Sequence, residues 1–179
     1  SISPTSGMKN KGKYLAFTEG GTKTVNGTST GLDHLAELGI THVHLLPVAD
    51  FVTVDEEFPS EKYNWGYDPQ NFNAPEGSYS TNPYNGAVRI KEFKQLVKSL
   101  HDNNMGVILD VVYNHTYFAK ESVFNQTIPG YFYRQKPDGT FANASGCGNE
   151  LATERVMVRK YIVDSLKYWT KEYHVDGFR

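Results

Sequence analysis

Apolar positions along this chain alternate between a helical period and short continuous runs. Leu32, Leu35 and Ala36 share one helical face, which Gly39 ends. The stretch 41–48 (Thr-His-Val-His-Leu-Leu-Pro-Val) follows at once. Its β-branched and apolar residues predict a buried strand, with Pro47 marking the exit into a loop. Ile90, Phe93, Leu96, Val97 and Leu100 then recur at helical spacing, Lys91, Lys94 and Lys98 fall on the opposite face, and Asn103-Asn104 closes the helix. A second buried strand is predicted over 107–113. Thr153-Glu154 opens a last helix carrying Val158, Ile162, Leu166, Trp169 and Tyr173 in one stripe, before a terminal strand at Val175 to Phe178.

Between these elements lie three irregular stretches. Gly20-Gly21 and the Thr/Ser/Gly-rich residues to Thr30 read as loop. The stretch 49–86 is aromatic and rich in turn residues (Asp68-Pro69, Ala74-Pro75-Glu76-Gly77, Asn82-Pro83) without a sustained period, and predicts a long functional loop. The stretch 116–150, with a turn at Lys136-Pro137-Asp138-Gly139, is too long for a simple connector and predicts a small inserted subdomain or loop.

Helices alternating with near-continuous apolar strands predict an α/β fold with parallel strands, either an open sheet or a (β/α)8 TIM barrel. In both, ligands bind beyond the carboxyl ends of the strands. Asn114, His115, Arg179 and the loop after Val48 all fall there. Two apolar runs, Val107 to Tyr113 and Val175 to Phe178, thus deliver polar groups to one place.

Composition narrows the ligand. With 39% hydrophobic and 13% aromatic residues, 179 residues suffice for a packed core. A net charge of -2 offers no basic stripe for phosphates, which argues against a nucleic-acid partner and is compatible with a neutral polar one. No apolar stretch approaches the roughly 20 residues of a membrane span, and Ser1-Ile2-Ser3-Pro4 lacks the features of a leader. Cys147 is alone, so no internal disulfide forms, and no Cys/His group has zinc spacing. These features leave the compartment open.

Specific motifs carry the reading further. Asp110-Val111-Val112-Tyr113-Asn114-His115 resembles the first signature of the α-amylase superfamily, and Asp176-Gly177-Phe178-Arg179 resembles the start of its second. Tyr63-Asn64-Trp65-Gly66-Tyr67-Asp68-Pro69, with Ala74-Pro75-Glu76-Gly77-Ser78-Tyr79-Ser80, is similar to the segment typical of type I pullulanases, bacterial debranching enzymes of glycoside hydrolase family 13. Cys147-Gly148-Asn149-Glu150 extends that similarity, which covers the chain from about Gly31 onward.

The resemblance implies retaining hydrolysis of α-1,6-glucosidic bonds in pullulan, glycogen or starch, through a carboxylate nucleophile and an acid/base carboxylic acid about 5–5.5 Å apart. It places the nucleophile two positions beyond Arg179 and the other two acids on later strands. Residues 1–179 are therefore expected to be the N-terminal portion of a TIM-barrel catalytic domain, ending before the nucleophile and inactive alone. Tyr67 matches the aromatic that stacks beneath the sugar at the cleavage subsite, and Asp68 follows it as a further substrate-binding residue. His115 matches the histidine that hydrogen-bonds that sugar, and Arg179 the arginine that orients the nucleophile and keeps it ionised. Asp110 is expected as the buried partner of Arg179, a supporting residue. The resemblance implies no required cofactor. It leaves calcium open at Asn114, although no Asp-rich loop completes a cage.

Other readings stand beside this one. Within enzymes they are an isoamylase or a glycogen-debranching enzyme, and in a different class a non-catalytic α-glucan-binding module built on Tyr67, Trp65 and His115. His42 and His44 alternate along one strand and read as core or barrel-filling residues rather than metal ligands. Tyr63 and Trp65 read equally as a hydrophobic clamp on their loop, and His115 as a strand-end cap bonded to backbone. Three strands of an eight-stranded barrel leave both sheet edges open, which predicts self-association of the isolated chain.

Overall fold

A computed structural model describes residues 3–59 and 63–179; Ser1 and Ile2, read above for a leader, and 60–62 of the predicted 49–86 loop lie outside the described residues. Three strands, β1 (His42–Leu45), β4 (Gly106–Leu109) and β5 (Gly177–Phe178), form a parallel sheet in the order β1-β4-β5. Helices α1 (Gly31–Glu37), α2 (Gly86–Asp102) and α4 (Val156–Tyr173) occupy the predicted places between and before them.

The register explains which face is packed. Val43 pairs with Val107 and Leu45 with Leu109, and all four join the main core. That core also takes Phe93, Leu96, Val97 and Leu100 from α2, and Trp169 and Tyr173 from α4. The alternate positions, His42, His44, Ile108 and Gly177, lie on the other face, because side chains along a strand alternate. His42 and His44 do point the same way, but both are exposed there rather than part of the packed core.

Helix α2 begins earlier than its apolar stripe. The side chain of Asn85 accepts a hydrogen bond from Ala87 N at 3.0 Å and caps the first turn. Lys91, Lys94 and Lys98 are exposed as their spacing predicts, and Asn104 closes the helix in the left-handed region, φ 58°. Helix α4 begins at Val156, three residues after Thr153, and buries Val158, Ser165, Trp169 and Tyr173; Ile162 and Leu166 are half-buried. No described helix is long and apolar enough to cross a membrane.

The 49–86 stretch departs from the expectation of a loop. It contains β2 (Ala49–Phe51) and β3 (Pro69–Pro75), paired antiparallel as a two-stranded ribbon. Its sequence hid this because β2 is three residues long, β3 is bounded by prolines, and the register shifts on both sides of Asp50. Phe51 and Phe72 are buried and hold the ribbon to the rest of the fold. A 3₁₀ helix at Tyr14–Thr18, also unforeseen, docks on it: Tyr14 N donates to Tyr79 O and Tyr14 OH to Glu76 O, both at 2.9 Å.

Residues 116–150 form the turn expected at Lys136, where Gly139 N donates to Lys136 O at 2.9 Å and Gly139 takes φ 82°. They also form a short helix, α3 (Val123–Thr127). Their aromatic side chains share a second cluster with Phe72 of β3 and Val158 of α4, so the segment packs against the barrel layer rather than on itself alone.

Candidate active site

The carboxyl ends of β4 and β5 meet the loop before β3. One step past β4, Asp110 continues the open-face alternation of Gly106 and Ile108, and Arg179 stands beside it one step past β5. Arg179 Nη1 donates to Asp110 Oδ2 at 2.6 Å. The same oxygen accepts from Tyr67 OH at 2.6 Å, and Arg179 Nη1 lies 3.4 Å from that hydroxyl. Backbone bonds clamp the pair: Asp110 N donates to Leu45 O, and Arg179 N and O bond to Leu109 O and Val111 N.

Burial is divided unequally among the three. The Asp110 side chain is 5% exposed and that of Arg179 63%, while Tyr67 is 37% exposed. The aromatic face is thus open to solvent, whereas the acid that aims it is not. The hydrogen bond to Asp110 raises the Tyr67 phenol above its ordinary pKa and keeps it a donor. Asp110 likewise raises the Arg179 guanidinium and fixes it as a cation. His44 Nε2 stands 4.0 Å from Asp110 Oδ2, a neighbour that sequence reasoning missed.

Backbone geometry leaves little freedom to the loop carrying Tyr67. Gly66 has φ 85°, and a Cβ there would stand 2.8 Å from Pro47 O, so only glycine lets the chain pass over Pro47 before Tyr67. Asn64 organises the turn, accepting from Gly66 N at 2.7 Å and donating to Thr53 Oγ1 at 2.8 Å and Asp68 Oδ2 at 3.1 Å. Asp68 Oδ2 also accepts from Thr53 N at 2.9 Å. The carboxylate expected to bind substrate is therefore engaged inside its own loop. Nothing in the motif spacing distinguishes that role from a sugar contact.

His115 is buried, with Nε2 3.0 Å from Tyr67 O and Nδ1 3.2 Å from Asn114 Oδ1. Burial lowers its pKa, which favours a neutral ring; its one N–H, on Nε2, donates to the Tyr67 carbonyl, and Nδ1 faces Asn114 as a contact without a proton. The backbone-bonded alternative weighed above for His115 thus describes its contacts, and its ring fixes the Tyr67 backbone from below. Asn114 is exposed, and its carbonyl accepts from Leu151 N at 3.0 Å. Among the described residues, the one grouping of three acids close enough to share an ion lies elsewhere, at Asp50, Glu56 and Glu76. Tyr63 and Trp65 are 67% and 60% exposed and pack edge-to-face on each other at 5.8 Å as a surface pair on this loop.

The arrangement gives an open aromatic face, a fixed cation and a buried acid spent on holding both, at the strand ends where this architecture places its sites. Such a floor suits a neutral ring with an apolar C–H face and hydroxyl edges.

The chain is similar to several known proteins. Pullulanase of Bacillus subtilis (strain 168) is 55% identical over 179 residues, which is 100% of this chain and 25% of that protein. Isoamylase SU1, chloroplastic, of Zea mays is 40% identical over 163 residues, 87% of this chain and 21% of that protein. The crystal structure of the Paenibacillus barengoltzii pullulanase in complex with maltohexaose and α-cyclodextrin superposes with a TM-score of 0.97 at 54% identity, covering 100% of this chain and 28% of that one. The chain therefore spans about a quarter of the length of the pullulanases it matches. Its parallel strands and helices are an arc of a (β/α)8 barrel. The family described as α-amylase, catalytic domain, matches residues 13–145, and the chain belongs to that family.

Proposed function

We propose that these residues form one side of the active site of a retaining glycoside hydrolase of the pullulanase type, which cleaves α-1,6-glucosidic bonds in pullulan, glycogen or starch. The observation that carries this reading is the cluster of Tyr67, Asp110 and Arg179, joined through the single oxygen Asp110 Oδ2. Tyr67 offers its ring to the apolar face of a glucose unit. Arg179 stands where a carboxylate on the same strand edge would gain a positive neighbour and stay ionised. Asp110, with Oδ2 already accepting from both partners, holds the other two in register. A sugar hydroxyl that reached His115 would displace the longer of its contacts, the one to Asn114. The identity to pullulanase, 55% against 40% for isoamylase, supports the pullulanase reading over the isoamylase one.

Binding of maltohexaose, followed by nuclear magnetic resonance on the chain itself, tests the sugar-facing role. Shifts are expected at Tyr67, Arg179 and His115, with Tyr67→Ala weakening affinity at least about tenfold, since an aromatic contact of this kind supplies about 1.4 kcal/mol or more. Tyr67→Phe keeps the ring and loses the hydroxyl's bonds to Asp110 and Arg179, so its affinity is expected between the two. Shifts confined to other faces, or equal affinity in Tyr67→Ala, would overturn the assignment.

A further inference from the structure

Behind the loop that presents Tyr67 lies a carboxylate cluster to which the proposed function assigns no part. Asp50, Glu56 and Glu76 place oxygens within 4.8 Å of one another. Glu76 is fully buried, and its carboxylate accepts from Phe51 N at 3.1 Å and Ser78 N at 2.8 Å. Arg89 of α2 binds Glu56 through two nitrogens, at 2.8 and 2.5 Å. That ion pair occupies the space a side chain on Gly77 would need. One guanidinium therefore answers three acids, and it is committed to Glu56. The groups facing Glu76 are Asp50 from β2, Glu56 from the following loop, Arg89 from α2, Tyr14 from the 3₁₀ helix and Tyr79 from its own segment. None of these supplies a second cation.

We propose that Glu76 is a positioning residue for the loop carrying Tyr67, held in place while the carboxylate pair Glu76 and Asp50 keeps one proton. Two carboxylates this close in a desolvated setting do not both ionise readily, and their titration belongs to the pair. Burial pushes Glu76 up to about 7, with the charge of Asp50 adding to it, and Asp50 is raised too, chiefly by burial. The path to Tyr67 is short. Glu76 holds Phe51 N, Phe51 pairs with Pro69, and Val52 N and Thr53 N both bond to Asp68, the residue next to Tyr67. The strand is irregular at Asp50, the point where repulsion would act. Loss of the proton pushes β2 away from Glu76 and loosens the ribbon beneath the aromatic platform. The proton latch itself stands on the ribbon's geometry; only its consequence for sugar rests on the proposed function.

Hydrogen exchange of the full chain, corrected for intrinsic rates, tests this. Between about pH 6 and about pH 8, the range in which the pair's proton leaves, peptides over 49–56 and 64–79 are expected to lose protection at least about fivefold while those of α2 and β4 do not. Asp50→Asn removes the like charge and is expected to abolish that slope; Glu76→Gln is expected to do the same. Constant protection in the wild type, or the same slope in Asp50→Asn, would overturn the proposal. Should Glu76→Gln fail to fold, Asp50→Asn decides alone. Maltohexaose affinity measured in parallel separates the two readings: a ribbon that loosens without sugar ever binding refutes the sugar site and leaves the latch standing.

Discussion

Replacing Asp110 with alanine is expected to lower kcat/KM on pullulan at least about 100-fold in an enzyme containing this segment, a loss of about 2.7 kcal/mol in transition-state stabilisation. The reasoning is geometric. Asp110 Oδ2 is the common acceptor for Tyr67 OH and Arg179 Nη1, so one truncation frees both the aromatic platform and the cation. A small displacement of positioning groups is costly in catalysis. Stability suffers less, by about 1–2 kcal/mol, because the partners left behind are exposed and rehydrate. Asp110→Asn separates the two contributions: its amide oxygen still accepts from Tyr67, but no charge remains for Arg179. Its rate is expected between those of wild type and Asp110→Ala. Unchanged kcat/KM in Asp110→Ala, with the fold intact by circular dichroism, would contradict the positioning role.

Truncating Trp169 to alanine is expected to cost about 4 kcal/mol in unfolding free energy, measured by urea denaturation. Trp169 is 1% exposed and belongs to the main core, packing on Phe93 at 5.7 Å and Tyr173 at 4.8 Å. Its Nε1–H donates to Phe72 O at 2.9 Å, so one side chain ties α4 to β3 across the two hydrophobic clusters. Alanine leaves a cavity and an unpaired carbonyl together. That cavity would open beneath the site, since Trp169, Phe72, Gly66 and Asp110 line one small void. Trp169→Phe refills most of the volume and loses the donor, and is expected to cost about half as much. A loss below about 1 kcal/mol in Trp169→Ala would show that the two layers are held together elsewhere.

Acid and base act in opposite senses on this fold. Glu76, raised above its unfolded pKa, contributes stability that is complete below pH 4.5 and lost as the pH rises through about 7. His115, lowered by burial, contributes stability present above 6.5 and lost as the pH falls through its depressed folded value. The two slopes oppose each other in the range between, which is why single variants are needed to see either.

The parallel sheet and its helices were legible because their burial is one-sided and local. The stripe Phe93, Leu96, Val97 and Leu100 announces α2 within three turns, and continuous apolar runs announce β1 and β4. The ribbon was not legible because β2 is held by long-range pairing and by Glu76, and neither leaves a periodic trace. Within the site, the motifs brought Tyr67, Asp110 and Arg179 forward together, and the structure brings them into contact. Motif position does not report which way a polar side chain turns, so Asp68 and His115, equally prominent in sequence, proved to be engaged with the loop itself. The contacts from Asn64 and His44 carried no sequence signal beyond adjacency.

The most direct test of the proposed activity is release of reducing sugar from pullulan by the Bacillus subtilis pullulanase in which the corresponding segment is replaced by these 179 residues, which match it along their whole length. The account predicts that this chimera hydrolyses pullulan and that Tyr67→Ala within it lowers kcat/KM at least about 100-fold, a transition-state loss of about 2.7 kcal/mol. A folded chimera that binds maltohexaose but leaves pullulan intact would contradict it, and would favour a glucan-binding segment over one side of a hydrolytic site.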